Sequence, residues 1–333
     1  MLSDRLPPMR ALWLWTVLIG ALAVVAALGL CLGRGDLSGQ AGAVFLELRA
    51  WRIAAAALAG AALGMGGVLM QGLFRNPLAS PDLLGTTAFS LLGGQLVLVL
   101  MVVAGAVLPT WIPQELLLPM GCLIGATSAL AALLWLAERA SGLTTVLVVG
   151  FLLAALGASA ASLLTSLCRD QWELMRALQG LSLGGVDGTG PAQLALAAPL
   201  VAIGGIAAWA WGRPLDILLS GEAEAAALGV DVVTVRRWTL IWTATLTAAA
   251  VALGGAAVFV GLIAPHVMRG LVGVTHRRLI PASALGGAIF LVLCDNLARA
   301  LPTVGELPLG VITGLIGAPL FIVVLLRSRR ELA

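Results

Sequence analysis

Apolar and polar positions along the chain sort into ten apolar runs, separated by short connections rich in charge, Pro or Gly. The runs fall at about 11–33, 52–71, 84–108, 115–137, 143–167, 191–211, 238–258, 259–272, 279–297 and 307–326. A helix of about 20 residues crosses the hydrocarbon core of a bilayer. The pattern therefore predicts an all-α integral membrane protein with about ten transmembrane helices, organised as one domain over residues 1–333. The first run is too long for the apolar part of a signal peptide and lacks a small-residue cleavage site, so it reads as an uncleaved span. Small residues crowd the runs, as in Gly60-Ala61-Ala62-Leu63-Gly64-Met65-Gly66-Gly67 and Gly254-Gly255-Ala256-Ala257. In lipid such residues let helix backbones approach closely, which is what drives helices together there.

Two segments break the pattern in comparable places of the two halves. One runs from Gln71 through Asn76 and Pro77 to Pro81; the other, Gly261 to Arg269, holds Pro265 and His266 and shortens the eighth run. Pro and polar groups at membrane depth survive where protein or a water-filled cavity satisfies the freed backbone. Paired interruptions point to a transport pathway; two ordinary cytoplasmic helix ends are the other reading. The inside segment 213–237 is longer than a simple connection. There Ser220 is placed to cap a helix whose first turn carries Glu222 and Glu224, and Gly229 to stop it. A docking platform and a solvated loop both fit that segment.

Composition narrows the function classes. The chain is 60% hydrophobic and 11% charged, with a mean hydropathy of +1.06, against about 25% charge in soluble domains. A water-soluble enzyme, a nucleic-acid binder and a disordered scaffold are excluded. All 19 basic residues are Arg, with no Lys and no Tyr. Without Lys the chain has no phosphate-gripping lysine of a P-loop and no Schiff-base lysine, so it does not hydrolyse ATP by that route alone. With both termini inside, Arg75, Arg139, Arg213, Arg236, Arg237, Arg277 and Arg278 gather on the inner face, as the positive-inside rule requires. Trp residues stand at run ends or in connections, as an interfacial belt. The four Cys are far apart, and the two His lie ten residues apart without zinc spacing, so no metal site is expected.

Charges near the outer ends of the runs carry the remaining chemistry. Asp295 stands four residues before Arg299, an i,i+4 pair, with a proton-relay role as the alternative. Arg49 and Arg52 share one helix face just outside the second run. Lipid headgroups or loop carboxylates such as Asp36, Glu47 and Glu306 are one explanation for the three arginines. A positive rim that receives an acidic partner is the other.

Four stretches in order carry a family resemblance. They are Leu48-Arg-Ala-Trp-Arg52 with Gly60-Ala-Ala-Leu-Gly64 and Gln71-Gly-Leu-Phe-Arg-Asn-Pro-Leu-Ala-Ser-Pro-Asp-Leu-Leu-Gly85; Gly221 to Val230; Gly261 to Arg269 with His276-Arg-Arg-Leu-Ile-Pro281; and Glu306 to Pro319. From about residue 48 onward the chain resembles the permease subunit of bacterial ABC importers for iron-siderophores, haem and vitamin B12. The resemblance implies a type II importer permease fold with N-in, C-in topology in the inner membrane. It implies a second permease copy, identical or similar, around a central pathway for a metal-chelate substrate. It implies an ATPase dimer below, holding the ATP and Mg that this chain does not bind, and a periplasmic binding protein above. Carried onto this chain, Arg49, Arg52 and Arg299 meet the binding protein. Ser220, Gly221, Glu222, Glu224, Ala225, Leu228 and Gly229 belong to the segment that couples to the ATPase. Ser141, Thr144 and Thr145 match the inner gate. Phe89-Ser90 and Leu181 depart from the family pattern.

The chain thus reads as a permease translocating an iron-siderophore, with vitamin B12 or haem as alternative substrates. An ion-coupled secondary carrier acting alone is the rival from another class, and a membrane protein without transport is a third. Replacing Arg49 and Arg299 together by Glu is expected to impair uptake without preventing membrane insertion; uptake at low binding-protein levels checks this.

Overall fold

The computed structural model describes residues 8–33, 42–103, 113–137, 143–186, 188–301 and 307–330. Ser141, Asp36 and Glu306 lie outside them, and of Thr144 only the backbone is described. The described residues form α-helices and one 3-10 turn, with no strand among them. The helices are α1 (Pro8–Cys31), α2 (Gly42–Leu73), α3 (Thr86–Val103), α4 (Gln114–Ala137), α5 (Leu143–Leu167) and α6 (Trp172–Leu183), followed by α7 (Pro191–Leu218), α8 (Glu222–Ala227), α9 (Val232–Gly254), α10 (Val260–Val272), α11 (His276–Ala300) and α12 (Leu309–Arg330). The 3-10 turn, Pro81–Leu84, joins α2 to α3.

Seven helices are long and apolar enough to cross a membrane: α1, α2, α3, α4, α5, α7 and α11. The other three expected runs are also helical but weaker as isolated spans. Helix α10 has 13 residues, and the apolar part of α12 is short. In α9, Arg236, Arg237 and five Thr dilute the apolar residues. Its polar hydroxyls are hidden instead: Thr239, Thr243 and Thr247 are fully buried.

Helix α2 is the centre of the bundle, packed against α7, α9, α10 and α11. The glycine-rich stretch explains how. A Cβ added at Gly60 would collide with the Gly287 carbonyl, one at Gly64 with the Ser283 carbonyl, and one at Gly67 with the Gly261 carbonyl. The backbones of α2, α10 and α11 therefore touch directly, the close approach expected of small-residue packing in lipid. The same device joins α3 to α4, where Gly121 and Gly125 meet the carbonyls of Gly93 and Phe89. Helices α1 and α5 sit at the edge, with Leu12, Val24, Phe151, Leu156 and Leu163 exposed.

Three broken helix ends meet at one junction. Helix α6, a half-length helix that the hydrophobic pattern does not announce, ends at Gly184 with φ 78°. Helix α9 ends at Gly255 with φ 60°. The Gly185 amide donates to the Gly254 carbonyl at 3.0 Å, and the Leu309 amide that opens α12 donates to the Gly184 carbonyl at 2.9 Å. The Thr189 hydroxyl donates to the Leu253 carbonyl at 3.1 Å. Backbone groups orphaned by each end are satisfied by the others, which is how irregular backbone persists away from water. Phe259, at the N-cap of α10, has φ 67°, a left-handed conformation that residues other than glycine seldom adopt.

Gly64→Val is expected to force α2 from α11 and to destabilise the fold by about 1–3 kcal/mol or more. Gly20, with open space around it, serves as the control through Gly20→Ala. The yield of monodisperse detergent-solubilised protein separates the two.

Candidate docking faces and transport pathway

Near the C-terminal end of α11, Asp295 is 1% exposed. It accepts from Arg52 of α2, through Nε at 2.9 Å and Nη2 at 2.8 Å on Oδ1. Arg299 approaches the other oxygen, Nε to Oδ2 at 3.1 Å. The i,i+4 pairing expected from sequence is present, but it is half of the arrangement, since Arg52 arrives from 243 residues away. Arg299 also donates through Nη1 to the carbonyls of Gly29 and Leu32, both at 2.9 Å, and through Nη2 to Asn296 Oδ1 at 2.6 Å. Arg49 donates to the Leu30 carbonyl at 2.8 Å, and Asn296 Nδ2 to that of Val25 at 2.8 Å. The guanidiniums thus close the C-terminal end of α1, where unpaired carbonyls and the negative end of the helix dipole favour cations.

The three arginines are mostly buried rather than raised as an open rim. Even so, all three line one cavity of about 280 Å³, together with Phe45, Thr189 and Gly190. Arg52 and Arg299 share the Asp295 carboxylate, whereas Arg49 donates to the Leu30 carbonyl.

The short helix expected near residue 222 is present as α8. Its cap differs from the expectation. Gly221 at φ 128° begins the helix, while the Ser220 hydroxyl turns back to the Ile217 carbonyl at 2.7 Å and closes α7. The reversal between α7 and α8 needs that positive φ, which only glycine adopts freely. Gly229, at φ 83°, ends the segment. Ala225 is buried, Glu224 and Leu228 are exposed, and Glu222 pairs with Arg236 of α9 at 3.0 Å. Asp231 caps α9 by accepting from the Thr234 amide at 3.1 Å and its hydroxyl at 2.6 Å. Those bonds hold its carboxyl below the usual carboxylate range.

The two interrupted segments are in contact. Gln71, 3% exposed, accepts from Arg269 Nη2 at 2.8 Å and donates to the Leu262 carbonyl at 3.4 Å. One side chain thereby ties the end of α2 to both ends of α10. Pro265 is buried in α10, and His266 is half-buried. Asn76 and Pro77 are exposed and build the turn after α2, where Asn76 Oδ1 accepts from the Leu78 amide at 2.9 Å. Thr145 is half-buried at the start of α5.

Sequence reasoning misses the walls around α6. A cavity of about 660 Å³ lies among α3, α5 and α6, lined by Gln95, Ser162, Thr165, Arg169, Gln179 and Ser182 as well as apolar residues. Another of about 990 Å³ borders Trp172, Glu173, Arg176 and Pro308. The buried pair Leu174 and Leu178, one turn apart in a connection that also carries Arg169, Asp170, Glu173 and Arg176, was the available signal for that helix.

Asp295→Ala would leave Arg52 and Arg299 buried without their carboxylate. A loss of about 3–5 kcal/mol is expected, read as a lowered thermal unfolding temperature of the purified protein.

Comparison with known proteins converges on one family. The profile of the FecCD transport family matches residues 8–327. The chain is 39% identical over 286 residues to the Fe(3+) dicitrate transport system permease protein FecD of Escherichia coli (strain K12), covering 86% of each chain. It is 36% identical to the hemin transport system permease protein HmuU of Yersinia pestis, covering 86% of this chain and 84% of that one. It is 35% identical over 330 residues to the vitamin B12 import system permease protein BtuC of Salmonella arizonae, covering 95% of each. A solved structure of a metal-chelate type ABC transporter in an inward-facing conformation superposes with a TM-score of 0.81 at 32% identity, covering 93% of this chain and 97% of that chain. With its all-helical, multi-pass architecture, the chain belongs to the FecCD transport family.

Proposed function

We propose that this chain is the permease of an inner-membrane ABC importer that carries an iron-siderophore inward, with both termini in the cytoplasm. The outer cavity carries the reading: Arg49, Arg52 and Arg299 converge on it, suiting the acidic contact of a periplasmic binding protein. On the opposite face, α8 offers Glu224 and Leu228 to solvent, a surface for an ATPase subunit that holds ATP and Mg. Exposed apolar side chains on α5 and α12, among them Phe151, Leu152, Leu315 and Ile322, suit a second permease copy across a shared pathway. Hydroxyl, amide and guanidinium groups of the cavity beside α6 match an oxygen-rich, anionic ferric chelate. The relatives divide among ferric dicitrate, hemin and vitamin B12, so haem and cobalamin are the competing substrates. In this scheme, ATP binding by the partner shifts α8, and the two permease copies rock about their interface.

Proteoliposomes with the ATPase and binding protein, offered labelled ferric siderophore, haem and cobalamin, test the assignment. Uptake of the ferric chelate is expected only with ATP and both partners present. Arg49→Glu is the informative docking variant, because Arg299→Glu would set a second carboxylate beside Asp295. Reversal at Arg49 is expected to lower uptake about tenfold, the effect of about 1.4 kcal/mol in docking, at unchanged membrane yield. Uptake by the permease alone would assign it instead to the ion-coupled carriers.

A further inference from the structure

A buried histidine joins α11 to α7, the helix that leads into the coupling segment. His276 is the first residue of α11 and is 3% exposed. Its Nδ1 lies 2.6 Å from Asp216 Oδ1 of α7, and its backbone amide donates to the same oxygen at 2.9 Å. A carboxylate only accepts, so Nδ1 carries the shared proton. Thr275, at the N-cap position, makes no side-chain cap. Asp216 therefore caps α11 from a different helix, placing a carboxylate at the positive end of its dipole. The other face of the ring is closed. Nε2 is buried with no hydrogen-bond partner among the described residues, and a Cβ at Gly72 of α2 would collide with it. Beside it, the Arg277 guanidinium lies over the Trp209 ring of α7, 4.4 Å from its centre.

The position of Asp216 gives the contact its consequence. It stands in the last turn of α7, two residues after Pro214. A proline inside a helix removes one backbone hydrogen bond and weakens the turn around it. The last turn of α7, which leads into α8, is thus less firmly held by its own helix and is pinned to α11 by Asp216. Helix α11, which carries Pro281 in its second turn, continues as one helix to Asp295, 19 residues beyond His276, or about 28 Å at 1.5 Å per residue.

We propose that Asp216 and His276 form a positioning latch that transmits movement of α8 into α11, and through it to the outer arginine cluster. This rests on the reading of α8 as the ATPase-coupling element. The latch makes ATPase docking and binding-protein docking reciprocally dependent, since coupling between two sites acts equally in both directions.

The test uses the permease in nanodiscs with its ATPase, reading binding-protein-stimulated ATP hydrolysis and binding-protein affinity. His276→Asn keeps an amide N–H near the Nδ1 position, whereas His276→Gln carries it toward Nε2 and away from Asp216. Asp216→Ala and His276→Gln are expected to retain the ATPase and the basal hydrolysis rate, yet to lose stimulation about tenfold, the scale of one charge-assisted hydrogen bond. His276→Asn is expected to restore most of it. Full stimulation in His276→Gln, or an equal loss in His276→Asn and His276→Gln, would overturn the latch. Should Asp216→Ala fail to fold, the two His276 variants decide alone. Failure of the unaltered permease to retain the ATPase would instead overturn the reading of α8.

Discussion

Direct backbone contact between α2 and its neighbours is the constraint on which this fold depends. Water supplies no hydrophobic force between helices inside a bilayer, so association rests on close packing and on polar contacts. Gly60, Gly64 and Gly67 bring α2 against the carbonyls of Gly287, Ser283 and Gly261. With those three axes fixed, the polar pairs fall into reach: Arg52 with Asp295 at one end, Gln71 with Arg269 at the other. Neither pair would form if the helices stood one side chain further apart.

The second organising condition is satisfaction of backbone groups where helices break. Helices α6, α9 and α12 end or begin at one junction and exchange amide–carbonyl bonds there. Glycine conformations at 184 and 255 make the approach feasible. Two concavities lined by α6 lie around this junction. Secondary structure is thus sacrificed beside the place where a solute pathway is proposed, and the cost is limited by mutual hydrogen bonding.

Much of this was legible in the residues alone. Run lengths and the small-residue stretch announced the helices and the packing surface, and the two interrupted segments marked the pieces that the structure joins between α2 and α10. Helix α6 escaped because Glu173, Arg176 and Gln179 on its open face make the segment read as a polar loop. Ser220 was misread as a cap, since the positive φ of Gly221 reverses the chain one residue later. The links Arg52–Asp295 and Asp216–His276 span 243 and 60 residues, and no local periodicity encodes partners so distant. His276 opens a stretch that carries the family resemblance, but that stretch names no partner for it; its contacts come from Asp216 and from the absent side chain of Gly72.

The shortness of α10 bears on how the protein is made. Thirteen residues reach about 20 Å, well short of a hydrocarbon core of about 30 Å. Such a segment does not partition into lipid by itself as it leaves the insertion machinery. The left-handed turn at Phe259 and the tie to Gln71 give it a settled place only once α2 is already beside it.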